Sequence, residues 1–208
     1  MGPADASIRD LVLDPTIGVE ERARRIAAAL DARPLDRQIA ALDELGGRRA
    51  QQRLWEAAAY NGPVTTADLV APTHTAMRPV VFHGRNSLPA FTRFKKICVR
   101  PPSGTPGDVL WGYNDTPIRP AIGPGYYVVH DTPNTTFGAS AFDYTQLPTS
   151  RPPSWPEIRP NEQGLSRFIY NGTVDYMRRV SRDVFIGSAT RGGNELGNYF
   201  VLVRELGA

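Results

Sequence analysis

Apolar positions in the first sixty residues recur at helical spacing. Val19, Ala23, Ile26, Ala27 and Leu30 share one face of a predicted helix, with Glu20 and Glu21 in its first turn, where the helix dipole favours negative charge. Pro34 closes that stretch. Leu35, Ile39, Leu42 and Leu45 form a second stripe, ended by Gly46-Gly47, and a third helix is predicted from Arg48 to about Tyr60 with Leu54, Trp55 and Ala58 facing inward. Short amphipathic helices of this kind need a surface to pack against.

From about residue 78 the rhythm changes to that of strands. Pro79 to His83, Val109 to Tyr113, Tyr126 to His130 and Ala139 to Tyr144 are predicted strands, whereas Phe91 to Val99 permits either a helix face or a strand. The last stretch predicts four more: Arg167 to Asn171, Thr173 to Arg179, Val184 to Thr190 and Tyr199 to Arg204. Gly172, the Val180–Asp183 segment and Gly192-Gly193-Asn194 separate them, with Gly172 either a bulge or a bend. Between these groups, Leu147 to Pro160 carries five prolines. They deny a ladder its amide donors, so an extended loop anchored by Trp155 is expected. Strands do not alternate with helices, so an antiparallel barrel or sandwich is expected rather than a parallel sheet. Tyr126 to Val129 and Tyr199 to Val203 are apolar on both faces and call for a second layer, for which the N-terminal helices are available.

Composition narrows the class further. With 41% hydrophobic and 22% charged residues, the 208-residue chain has the makeup of an ordinary globular protein. No apolar run approaches the roughly 18 residues of a membrane span. The N-terminus lacks the pattern of a secretory signal, so three Asn-x-Thr sequons are read as accidental and a cytoplasmic location is expected. The net charge of +3 is spread without a basic run, which argues against a nucleic-acid partner, and all the basic residues except Lys95 and Lys96 are arginine. The single cysteine, Cys98, and the three unspaced histidines, His74, His83 and His130, form no metal motif, and no cofactor fingerprint or phosphate loop occurs.

The segments Phe168-Ile169-Tyr170-Asn171-Gly172, Tyr176-Met177-Arg178-Arg179-Val180, Val184-Phe185-Ile186-Gly187 and Tyr199 to Arg204 resemble the closing strands of lipocalin-like bacterial barrels, in particular the GXWXG-type family. The resemblance covers roughly residues 166 to 205. The family's Gly-x-Trp-x-Gly element is absent, and Trp111-Gly112-Tyr113 echoes it only in part. The resemblance implies a small-ligand barrel and transfers no catalytic residue.

The expected architecture is therefore α+β. A helical segment, residues 1–77, packs on an antiparallel lipocalin-like β-barrel, residues 78–208. The expected partner is a small apolar or amphipathic ligand, with no cofactor and no metal. Tyr126, Val128, Phe168, Tyr170, Ile186 and Val201 are expected to line the pocket, with His83, Tyr113 and Asn114 as polar anchors. His83 sits at a strand end, where a histidine either orients a ligand or caps a turn. Arg178, Arg179 and Arg182 form a local cationic group that either meets an anion or is a solvated strand end. Two other classes stand beside the binder. One is a barrel enzyme (a cyclase, isomerase or decarboxylase) using His83 and Tyr113 for acid–base work. The other is an interaction module whose aromatic and arginine surface meets another protein.

Overall fold

The computed structural model describes residues 7–89 and 92–205; Phe91 and the first six residues lie outside the described set. The protein is α+β. Its sheet is a closed antiparallel barrel of eight strands in sequence order, a meander with no crossover. The strands are β1 (Val80–Asn86), β2 (Arg93–Val99), β3 (Leu110–Asp115), β4 (Tyr127–Asp131), β5 (Ser140–Asp143), β6 (Thr173–Arg179), β7 (Val184–Arg191) and β8 (Asn194–Glu205). The ambiguous stretch before Val99 is thus a strand from Arg93 onward. Closure pairs β1 with β8, Val81 opposite Glu205 and Asn86 opposite Phe200, so no edge is left open to solvent.

Three predicted helices are present: α2 (Val19–Asp31), α3 (Leu35–Glu44) and α4 (Arg48–Ala58). α1 (Ile8–Leu13) precedes them. It is a single short turn region capped by Ser7, whose Oγ accepts from Asp10 N at 3.2 Å, and six residues are too few to announce a period. Ile8, Ile26, Leu30, Leu42, Leu54 and Trp55 bury against Val184, Ile186, Val201 and Val203. The helices are therefore the second layer over the outer face of β7 and β8. Arg178 pins this layer: its guanidinium lies 3.9 Å from the centre of the Trp55 ring and its Nη1 donates to Trp55 O at 2.9 Å. The arginine expected to be an anion site or a solvated end is instead a tie between the wall and its cover.

A second cover lies on β3 and β4. The proline-rich segment forms no strand, and Trp155, 5% exposed, packs on Tyr113 with ring centres 4.9 Å apart and on Tyr126 at 6.3 Å. Three of its carbonyls are collected by Arg151, which donates to those of Pro152, Pro153 and Trp155. The run predicted as a strand before Asn171 is α7 (Ser166–Ile169), one turn of helix. Phe168 is 63% exposed there, so an aromatic-rich run that resembles a strand in sequence is surface. Another single turn, α6 (Arg119–Ile122), lies in the β3–β4 connection.

The two ends of the barrel differ. At one end, the segment from Val64 through α5 (Thr66–Leu69) to Val70 enters the interior and packs on Phe82, Phe185 and Leu202. A capping box between Thr65 and Asp68 starts α5. Arginines tie it to the rim: Arg204 donates to the carbonyls of Asp68 and Leu69, Arg100 to those of Val70 and Ala71, and Arg179 pairs with Asp68 at 2.8 Å. At the other end, where β1, β3, β5 and β7 finish, the barrel opens.

Candidate functional site

Alternation along the strands sends Phe94, Lys96 and Cys98 of β2 into the barrel, together with Gly112 and Asn114 of β3, Tyr127 of β4, Phe142 of β5, Asp175 and Met177 of β6, and Phe200 of β8. One of these is a lysine. Lys96 is 1% exposed, and an ammonium taken out of water must find partners or lose its proton. Its Nζ donates to three acceptors: the Tyr144 hydroxyl, Asn114 Oδ1 at 3.3 Å and Asp175 Oδ2 at 3.2 Å. Three N–H groups thus meet three oxygens. Around them stand the rings of Tyr127, Phe142 and Phe200, each centred 4.8 Å from Nζ, with Tyr144 at 5.0 Å and Phe94 at 6.0 Å.

Glycines make room for this cage. Gly84 is paired across the ladder with Phe94, Gly112 with Tyr127, and Gly187 with Phe200. A Cβ on Gly187 would come within 2.1 Å of the Phe200 ring, on Gly112 within 2.4 Å of Tyr127, and on Gly84 within 2.6 Å of Phe94. Each ring therefore lies flat over a neighbouring strand where any side chain would stand.

The hydrogen bonds continue outward. Asn114 Nδ2 donates to Gly125 O at 3.0 Å and to the Tyr144 hydroxyl at 3.1 Å. Tyr170 stacks on Tyr144 at 5.3 Å, its ring filling the space beside Gly125. Burial pushes the Lys96 ammonium below its ordinary value, against the pull of Asp175. Burial likewise raises Asp175, against the pull of Lys96. Both displacements bring the charged pair closer to its neutral form, in which Lys96 has passed a proton to Asp175. The Tyr144 hydroxyl is held well above the usual range by burial and by the Asp175 carboxylate. Cys98, deeper in the barrel, is pushed up to about 12 by burial and is an inert thiol.

Above this cluster lies a cavity of about 290 Å³ that opens at the barrel mouth. Lys96, Asn114, Tyr144 and Asp175 contribute to its lining, as do Tyr170, Phe94 and Phe200. The upper wall is aliphatic: Leu88 from the β1–β2 loop, Ile118 and Ile122 around α6, Ile169 from α7 and Leu196 from β8. Leu88, Ile169 and Leu196 stay more than a third exposed and form an apolar rim at the mouth.

Of the residues expected to form the pocket, the structure brings Asn114 and Tyr170 to this cavity. The others stand elsewhere. Tyr113, Tyr126 and Val128 face outward under the Trp155 strap. Ile186 and Val201 face outward under the helices. Phe168 lies on the surface. His83 is on the outer wall, with Nε2 2.9 Å from Glu205. The physical reason is parity: these strands are apolar on both faces, so alternation alone does not tell inside from outside. No histidine lines the cavity, so the expected pairing of His83 with Tyr113 is not assembled there. His130 instead faces Asp143 across the ladder at 3.5 Å. Lys96 and Asp175 were missed in the sequence. The signal was present, because a lysine alternating with Phe94 and Cys98 puts a cation on an apolar face.

Among the described residues no group of histidine, cysteine and carboxylate side chains is placed to hold a metal ion, and no helix is long and apolar enough to cross a membrane. Fold and site together define an antiparallel barrel with a polar-floored cavity at its open end. No family model, curated protein or solved structure matches the chain.

Proposed function

We propose that the protein is a lipocalin-like binder that takes a small amphipathic molecule into the barrel mouth. The observation that carries this reading is the cavity of about 290 Å³, aliphatic at its rim and floored by a buried group of hydrogen-bonding side chains. An apolar body of the ligand would rest on Ile118, Ile122 and Ile169, and its polar end would meet Asn114, Tyr144 and Lys96. Apolar walls with few convergent polar groups are the usual makeup of small-molecule sites. A cytoplasmic location fits the reading but is not needed by it.

The test is displacement of an apolar naphthylamine fluorophore by octanol. Wild type should bind both. Ala189→Phe, which fills the cavity from β7, should weaken binding at least about tenfold, or about 1.4 kcal/mol. His83→Ala, on the outer wall, should leave it unchanged. Equal binding by wild type and Ala189→Phe would remove the cavity from consideration.

A further inference from the structure

We propose that Lys96 captures an aldehyde or ketone ligand covalently, as an imine, and that carbonyl compounds with an apolar tail are the ligand class of this cavity. The inference rests on the cavity reading above and gives it a chemical identity. Here the amine stands at the floor of an open cavity, beside a carboxylate at 3.2 Å and a tyrosine hydroxyl, in an aromatic cage that leaves it 1% exposed. An amine becomes a nucleophile when it is neutral, and desolvation in an apolar pocket is the general means of making it so. Burial acts on Lys96 and on Asp175 in that same direction.

The steps balance within these groups. Lys96 passes one proton to Asp175 and becomes a free amine. Its lone pair attacks the carbonyl carbon, forming the C–N bond as the C=O π pair moves to oxygen. A proton moves from the new ammonium nitrogen to that oxygen and gives a neutral carbinolamine. The Asp175 carboxylic acid protonates the hydroxyl, the C–O bond breaks, and water leaves as the nitrogen lone pair forms C=N. The product is a protonated imine beside the Asp175 carboxylate, the same pair of charges as at the start. No oxidant or reductant is needed. Tyr144 and Asn114, released from the amine, are free to hydrogen-bond the departing water.

The chain provides its own control. It has two lysines, and Lys95, next door, is exposed and points out of the barrel. The experiment incubates the whole protein with octanal, reduces it with borohydride and maps the octyl group by peptide mass spectrometry. Lys96 should be labelled at least about tenfold more than Lys95 and the N-terminal amine, and excess octanol should suppress the labelling. Lys96→Arg keeps the positive charge but cannot form the imine, and should lose the label while its Lys95 background persists. Asp175→Asn should slow labelling of Lys96 more than tenfold, with folding of each variant checked by circular dichroism. If octanol binds but octanal labels only Lys95 and the N-terminus, imine capture is overturned and the cavity reading survives. If neither octanol nor the fluorophore binds, the cavity reading itself fails.

Discussion

The two ends of the barrel are built from similar apolar residues and put them to opposite use. At the closed end, Val64, Leu69 and Val70 are at most 1% exposed and arginines hold the backbone of α5 against the rim. At the open end, Leu88, Ile169 and Leu196 are left 36–45% exposed around a cavity. Burial at the first end supplies stability, since covering an aliphatic side chain contributes about 1.5–3 kcal/mol. Exposure at the second forgoes that gain and leaves apolar surface for something else to cover.

The largest effect should come from breaking the closed end. Leu69→Ala truncates a fully buried side chain of the cluster that also holds Phe82, Phe185 and Leu202 and should cost about 2–5 kcal/mol in urea unfolding. Leu196→Ala at the mouth should cost less than about 0.5 kcal/mol while weakening octanol binding. Similar losses at both sites would mean that the mouth is as much core as the plug.

How this contrast sits in the sequence is instructive. Most strands were legible because alternation and turn residues recur: Thr173–Arg179 is found where it was expected, Arg167 to Asn171 is instead the helical turn α7, and the others shift by a few residues. The three longer N-terminal helices were legible from their stripes. The plug was not, because α5 has four residues and its meaning comes only from distant partners such as Arg204 and Asp131. The site was legible in part. The pattern points to Asn114 and Tyr170, but both faces of β4 and β8 are apolar, so hydrophobicity alone also puts outer-wall residues in the pocket. Chemistry breaks the tie that hydrophobicity leaves. A lysine in phase with Phe94 and Cys98, and an aspartate in phase with Met177, mark the inner face, as do strand glycines opposite Phe94, Tyr127 and Phe200.

A smaller effect should sharpen the contrast from between the ends. Gly187→Ala puts a methyl where the Phe200 ring lies and should cost about 1–3 kcal/mol through overpacking. The displaced ring also opens the cage around Lys96, so octanol affinity should change along with stability. Adding Phe200→Leu should restore much of the stability of Gly187→Ala, because a smaller side chain relieves the clash. If the double variant is as unstable as the sum of the two single ones, glycine is needed there for its backbone rather than for the ring.

The smallest effect expected is a pH dependence of the wall that joins the two ends. Asp143 accepts from Thr145 N at 2.8 Å, from Thr145 Oγ1 at 2.6 Å and from Gln146 Nε2 at 2.6 Å, which fastens the chain as it leaves β5 for the proline strap. Burial alone would raise this carboxyl, but hydrogen bonds from His130, Thr145 and Gln146 outweigh it and hold it well below the usual range. The hydrogen bond to Asp143 in turn raises His130, against burial, with the Asp131 carbonyl and carboxylate adding to it. A raised histidine contributes stability that is fully present below its unfolded value, about 6.5, and is lost as pH rises through the folded value. A lowered carboxyl contributes stability present above about 3.9 and lost as pH falls toward its folded value. The pair therefore helps most between these limits. Urea midpoints measured from about pH 6 to pH 8 should fall in wild type relative to His130→Gln, whose neutral amide has no proton to lose. The same variant should keep the loss at low pH, because Asp143 retains its bonds from Thr145 and Gln146. Parallel curves for the two proteins across the upper range would show that His130 and Asp143 do not share the charge their spacing suggests.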